Sequence, residues 1–288
     1  MKVIRAGVMG FCTGVRRAVE MAWGQSAAEG RGVYTLGPLI HNPVFLEDLE
    51  RRGIGILKES DIPSVPAGSI VIIRAHGVSP AVERELLERG VKLLDATCPH
   101  VKQSQRKARD FAEKGYHIFL AGETNHAEIV GIRGYAEAAC HVVGTPLEAG
   151  KAAEDILRLD PGAKTALIGQ TTISAGEYNT IAEQIRKLFP GLVVVDTICR
   201  ATADRQGALR ELCGKVDAAL IAGGGESSNT RRLLSLAREL GKPAWLVETP
   251  NDIPREIAAY ETVGLSAGAS TPDSLVDEIE DALNTPPH

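Results

Sequence analysis

Short apolar runs alternate along this chain with longer stretches of helical character. The runs at residues 33–36, 69–73, 91–94, 117–121, 165–169, 192–195, 218–222 and 262–267 have strand length, and each stops at a polar or glycine-containing loop. Helical spacing marks 15–23, 44–52 and 231–240, and the polar segment through Arg109 is also helix-prone. Helix starts are signalled where Ser79 precedes Pro80, where Ser174 and Glu177 form a capping box, and where Thr271 precedes Pro272. Strands that alternate with helices predict parallel sheets with helical crossovers, an α/β fold.

The order repeats. Asp95-Ala96-Thr97-Cys98 follows the run at 91–94, and Asp196-Thr197-Ile198-Cys199 follows the run at 192–195. Gln105 and Gln206 each stand seven positions beyond the Cys. A looser copy, Val8-Met9-Gly10-Phe11-Cys12, opens the chain. These copies predict three α/β units at 1–97, 98–195 and 196–288, with residues 1–13 packing with the third. In open α/β sheets ligands sit outside the carboxyl ends of the strands, and the polar clusters of this chain fall there. Three units around a pseudo-threefold axis would turn those loops toward one central cavity.

Bulk properties narrow the function. A net charge of −5 and a pI near 5.9 provide no global field for nucleic acid or an anionic membrane. No apolar run has the length of a bilayer span, and the N-terminus lacks a signal-peptide h-region, so a cytoplasmic protein is expected. Five widely spaced cysteines do not read as a disulfide framework. Gly223-Gly224-Gly225 lacks the context of a dinucleotide fingerprint.

Candidate chemistry lies at the strand ends. Cys12, Cys98 and Cys199 occupy equivalent places where strand meets helix, and a helix N-terminus favours the thiolate. Three thiolates suit an iron–sulfur cluster with one iron lacking a protein ligand; zinc with three thiolates and a solvent position fits as well. Cys140 and Cys213 lie outside the pattern. His41, His76 and His126 end strands in equivalent loops, where the third copy offers Ser227, Ser228 and Asn229, and the last loop Ser270. Such donors, with the N–H groups of the helix starts, suit phosphate oxygens. Glu128 beside this set can supply protons if burial raises its pKa, and Thr171 and Thr172 can orient it or simply end a strand. A ligand sensor without turnover and a zinc hydrolase remain open on these residues alone.

Taken in order, Gly10-Phe11-Cys12-Thr13-Gly14-Val15, Leu36-Gly37-Pro38-Leu39-Ile40-His41-Asn42, Arg74-Ala75-His76-Gly77, Asp95-Ala96-Thr97-Cys98-Pro99, Asn125-His126-Ala127-Glu128, Gln170-Thr171-Thr172, Ile198-Cys199-Arg200-Ala201-Thr202 with Arg205-Gln206, Ser227-Ser228-Asn229-Thr230 and Ala267-Gly268-Ala269-Ser270 resemble the LytB-type 4-hydroxy-3-methylbut-2-enyl diphosphate reductases of the non-mevalonate isoprenoid pathway. The resemblance runs from about residue 3 to about 280. It implies a trefoil of three α/β domains around one 4Fe-4S cluster per chain, held by Cys12, Cys98 and Cys199. It implies that two electrons and two protons remove the allylic hydroxyl of the substrate as water, giving isopentenyl and dimethylallyl diphosphates. By position, His41, His76, His126, Ser227, Ser228, Asn229 and Ser270 hold the diphosphate, Glu128 donates a proton, and Thr171 belongs to its hydrogen-bond network. A ferredoxin or flavodoxin is the expected electron donor, with neither nucleic acid nor membrane as partner, and the chain is expected to be a monomer. One departure stands out: Gly225-Glu226 precedes the paired serines where the family has Lys and Asn, and Glu226 is expected to face solvent.

Overall fold

The computed structural model describes residues 1–25, 32–40 and 42–285. His41, one of the candidate ligands, lies outside the described residues.

The chain opens with β1 (Lys2–Arg5) and α1 (Thr13–Trp23). Next come β2 (Val33–Leu36), α2 (Pro43–Arg51), β3 (Ile54–Leu57), β4 (Ile70–Ile73), α3 (Pro80–Glu88) and β5 (Lys92–Asp95). After α4 (Pro99–Glu113) come β6 (Tyr116–Ala121), α5 (Ala127–Ala136), β7 (Cys140–Val143), α6 (Pro146–Leu159), β8 (Lys164–Gly169), α7 (Ala175–Arg186) and the short β9 (Val193–Val194). After α8 (Arg200–Cys213) come β10 (Ala218–Ala222), α9 (Ser228–Glu239), β11 (Ala244–Val247), β12 (Thr262–Ala267) and α10 (Asp273–Asn284).

The strands form three four-stranded sheets, ordered β3-β2-β4-β5, β7-β6-β8-β9 and β11-β10-β12-β1. Every described pairing is parallel. The order is the same in all three once β1 is read as the fourth strand of the last sheet. In the first two, the chain leaves the centre in opposite directions from two adjacent strands, β2 and β4 or β6 and β8; in the third it leaves one way from β10, and the outer strand beside β12 is β1 from the start of the chain. That reversal is where α/β sheets open a crevice for a ligand. Each organising cysteine follows a fourth strand: Cys98 after β5, Cys199 after β9 and Cys12 after β1.

The described chain forms two compact units. One contains Met1–Glu20, Pro38–Arg52 and Arg200–His288, with the β1-containing sheet; the other contains Met21–Gly37 and Gly53–Cys199, with the other two sheets. We keep the division into repeats at 1–97, 98–195 and 196–288 as a proposal.

Alternation on β6 shows why its run reads as almost uniformly apolar. Phe119 and Ala121 pack under α6 and α7 with Leu167, Ile181 and Ile185. Ile118 and Leu120 point the other way, toward Ala108 of α4 and Ile129 and Ile132 of α5. A strand buried on both faces needs apolar residues at every position. Two sequence expectations shift. The opening strand is Lys2–Arg5, whereas residues 6–12 are irregular, with Gly10 at φ +73°. The run at 192–195 keeps only Val193 and Val194 as strand, paired with Ala166 and Leu167.

Candidate active site

The second unit assembles its site from two crevices. After β6, the chain turns through Glu123 and caps α5 with His126, whose Nδ1 accepts the N–H of Glu128 at 3.2 Å. In the neutral ring the proton then sits on Nε2, which is a donor. The His76 ring, from the loop after β4, meets the His126 ring edge to face at 5.1 Å. After β8, Thr171 turns back onto Glu128. Its N–H donates to Oε1 at 2.7 Å and its hydroxyl to Oε2 at 2.8 Å. His76, His126, Glu128 and Thr171, read from three separate motifs, therefore form one connected set.

Glu128 is almost wholly buried, at 1% exposure. Burial pushes its carboxyl up to about 7, opposed by the two Thr171 hydrogen bonds, which favour the charged form. A group with its pKa near neutrality exchanges its proton readily at working pH, as a general acid must.

The first unit has a different site, built of neutral donors at the start of α9. Ser227 caps that helix and accepts the Thr230 N–H at 3.3 Å. Ser228, Asn229 and Ser270 are buried beside it, and the Ser270 hydroxyl lies 3.5 Å from that of Ser227. Asn229 Nδ2 and Thr230 Oγ1 are buried with no hydrogen-bond partner among the described residues. Buried polar groups are ordinarily paired, so an unpaired amide N–H at a helix N-terminus marks a place for an acceptor, and an anion most of all. Gly223 supports this arrangement: at φ +135° it lets the turn pass close under Thr230 and Thr271, where a Cβ would lie 2.5 Å from Thr271 Oγ1. Glu226 is exposed, as its expected orientation toward solvent requires.

None of the five cysteines forms a disulfide. Cys98 stands at the N-cap position of α4, Cys199 immediately precedes α8, and Cys12 precedes α1, where the Val15 N–H reaches its Sγ at 3.4 Å. All three are half-buried. Burial pushes the Cys140 thiol up to about 12 and also raises Cys213, so both remain protonated thiols. Among the described residues no three His, Cys, Asp or Glu side chains stand together as ligands of one metal ion.

Two residues that stand in the sequence motifs but carried no role there, Gln170 and Arg205, support the site. Gln170 is fully buried. Its Oε1 accepts the Glu123 N–H and its Nε2 donates to Thr172 Oγ1, tying the β6 loop to the β8 loop. Arg205, also buried, donates to the carbonyls of Ala201 and Gly10 and so holds the loop leading to Cys12. The spacing had pointed to Gln206, its neighbour. In the second copy the glutamine is indeed the buried one, Gln105 donating to Val78 O at 3.4 Å.

The molecule is thus an α/β protein of parallel sheets with polar loops at their carboxyl ends and a buried carboxyl poised for proton transfer. A family model described as LytB protein matches residues 3–284. The 4-hydroxy-3-methylbut-2-enyl diphosphate reductase of Treponema pallidum is 45% identical over 99% of this chain and 84% of its own length. That of Treponema denticola is 43% identical over 98% of this chain and 99% of its own. The solved structure of the E-1-hydroxy-2-methyl-but-2-enyl-4-diphosphate reductase from Plasmodium falciparum matches with a TM-score of 0.92 at 29% identity, covering 99% of this chain and 89% of that one. The chain belongs to the LytB family.

Proposed function

We propose that this protein is a 4-hydroxy-3-methylbut-2-enyl diphosphate reductase, an oxidoreductase that removes the allylic hydroxyl of its substrate as water and yields isopentenyl and dimethylallyl diphosphates. Its family and its relatives of that name support the reading. The observation that carries the chemistry is the buried Glu128, held by Thr171 and protonated up to about pH 7.

The overall change takes up two electrons and two protons and breaks one C–O bond. Glu128 delivers a proton to the departing hydroxyl, and Thr171 steadies the carboxylate left behind. Ser227, Ser228, Asn229 and Ser270, with His76, His126 and His41, are the residues we assign to the diphosphate. The backbone N–H groups opening α9 add to them. Cys12, Cys98 and Cys199 fit a 4Fe-4S cluster: each is half-buried and next to a helix start, and none is in a disulfide. Thiolates on separate irons also need not converge as ligands of a single ion do. When bound, such a cluster supplies single electrons and an iron without a protein ligand. A small one-electron carrier of ferredoxin or flavodoxin type is the donor we expect. The described residues include no helix long and apolar enough to cross a membrane, and we propose that the protein works as a cytoplasmic monomer.

Anaerobic purification followed by iron, sulfide and zinc analysis tests the cofactor assignment. About four irons per chain, lost in C12S, C98S or C199S variants but not in C140S, is the expected result. Zinc without iron, even after anaerobic reconstitution, would overturn it.

A further inference from the structure

The turn before Ser227 contains three consecutive glycines, Gly223-Gly224-Gly225. Glycines free in the unfolded chain lose the most backbone entropy on ordering, so such a turn does not hold a shape unaided. Here it is held from both sides. The Gly225 N–H donates to Glu248 Oε1 at 2.6 Å, and the Gly225 carbonyl accepts from Arg231 at 2.9 Å. Glu248 follows β11, and its backbone is fixed in turn, since Asp252 accepts the N–H groups of both Glu248 and Thr249. Arg231 lies in the first turn of α9, the helix that Ser227 caps. Glycine at 225 permits the approach, because a Cβ there would lie 3.2 Å from Glu248 Oε1.

We propose that Glu248 and Arg231 are positioning residues for anion binding: they grip the two successive peptide groups on either side of the Gly225 Cα and set the Gly223–Glu226 turn, so that Ser227, Ser228 and Asn229 face the ligand before it arrives. The inference rests on the assignment of the diphosphate to that serine–asparagine set. Neither residue need touch the ligand. Glu248 acts despite its charge, because its carboxylate is spent on the Gly225 N–H. A preset turn removes an ordering cost that binding would otherwise carry.

Glu248→Ala and Glu248→Gln separate this role from others. Gln keeps an acceptor and drops the charge; Ala drops both. In the cluster-loaded enzyme, E248A should raise KM for the diphosphate substrate about tenfold with kcat held, and weaken inorganic diphosphate binding by a similar factor in titration calorimetry, whereas E248Q binds at least as tightly as the parent. Tighter binding in both variants would make Glu248 a repelling charge and overturn the proposal. Unchanged KM and unchanged diphosphate affinity in E248A would also overturn it, as would equal losses of kcat in both. Failure of the underlying assignment has another signature: the parent protein would bind no inorganic diphosphate, and S227A would leave KM unaltered.

Discussion

Thr171 closes on Glu128 with two donors, its N–H on one carboxylate oxygen at 2.7 Å and its hydroxyl on the other at 2.8 Å. Thr171 stands in the loop after β8 and Glu128 in the first turn of α5, the helix that follows β6, so the adjacent ends of the two paired strands bring them together. Burial raises the pKa of this carboxyl and the two bonds lower it; the balance at about 7 is what suits it to proton transfer.

Turnover should therefore fall as pH rises through about 7, because the protonated form of Glu128 is the donor. Stability follows the same group. A carboxyl raised from 4.5 to about 7 on folding binds more protons folded than unfolded between those values, so its contribution to stability falls as pH rises through that window. The full change is on the order of 3 kcal/mol. Urea unfolding of Glu128→Gln and the parent at pH 5 and pH 8 should show the variant gaining on the parent at the higher pH.

Thr171→Val keeps the shape and the backbone N–H but removes the hydroxyl bond to Glu128 Oε2. A hydrogen bond to an ionised group is worth about 1.5–3 kcal/mol, so the alkaline limb of the pH–rate profile should move up by about one to two units. A limb that stays in place would remove Thr171 from the network.

Asn229→Asp replaces the unpaired buried amide with a carboxylate oxygen. Like charges brought together cost several kcal/mol, so KM for a diphosphate substrate should rise at least about a hundredfold. Inhibition by inorganic diphosphate should weaken in parallel, with iron content unaffected.

Gly10→Ala acts on the loop before Cys12. Gly10 has φ +73°, and its carbonyl is the acceptor for Arg205. The added Cβ would crowd Asp273, whose carboxylate is exposed and can yield, but the backbone strain persists. Iron bound per chain should drop and the melting temperature should fall, both measurable on anaerobically purified protein.

Much of this was legible because the repeat sets polar residues at the ends of central strands. His76, the His126–Glu128 pair and Thr171 sat in three motifs far apart in sequence, yet one parallel topology joins them. The edge strands β3 and β11 left little trace: four residues paired on one side give too short a pattern. The role of Arg205 was hidden for another reason. A polar residue inside an amphipathic helix looks solvated, and only the carbonyl of Gly10, nearly two hundred positions away, makes its burial sensible. Glu248 had no motif at all, since its role depends on where β11 ends.

The most direct test is product analysis. Anaerobically reconstituted protein is supplied with 4-hydroxy-3-methylbut-2-enyl diphosphate and a one-electron reductant, beside Glu128→Gln with equal iron. The account predicts isopentenyl and dimethylallyl diphosphates from the parent, and a rate lower by about a hundredfold or more in the variant. An iron-replete parent that leaves the substrate intact, or a variant that converts it at the parental rate, would contradict the account.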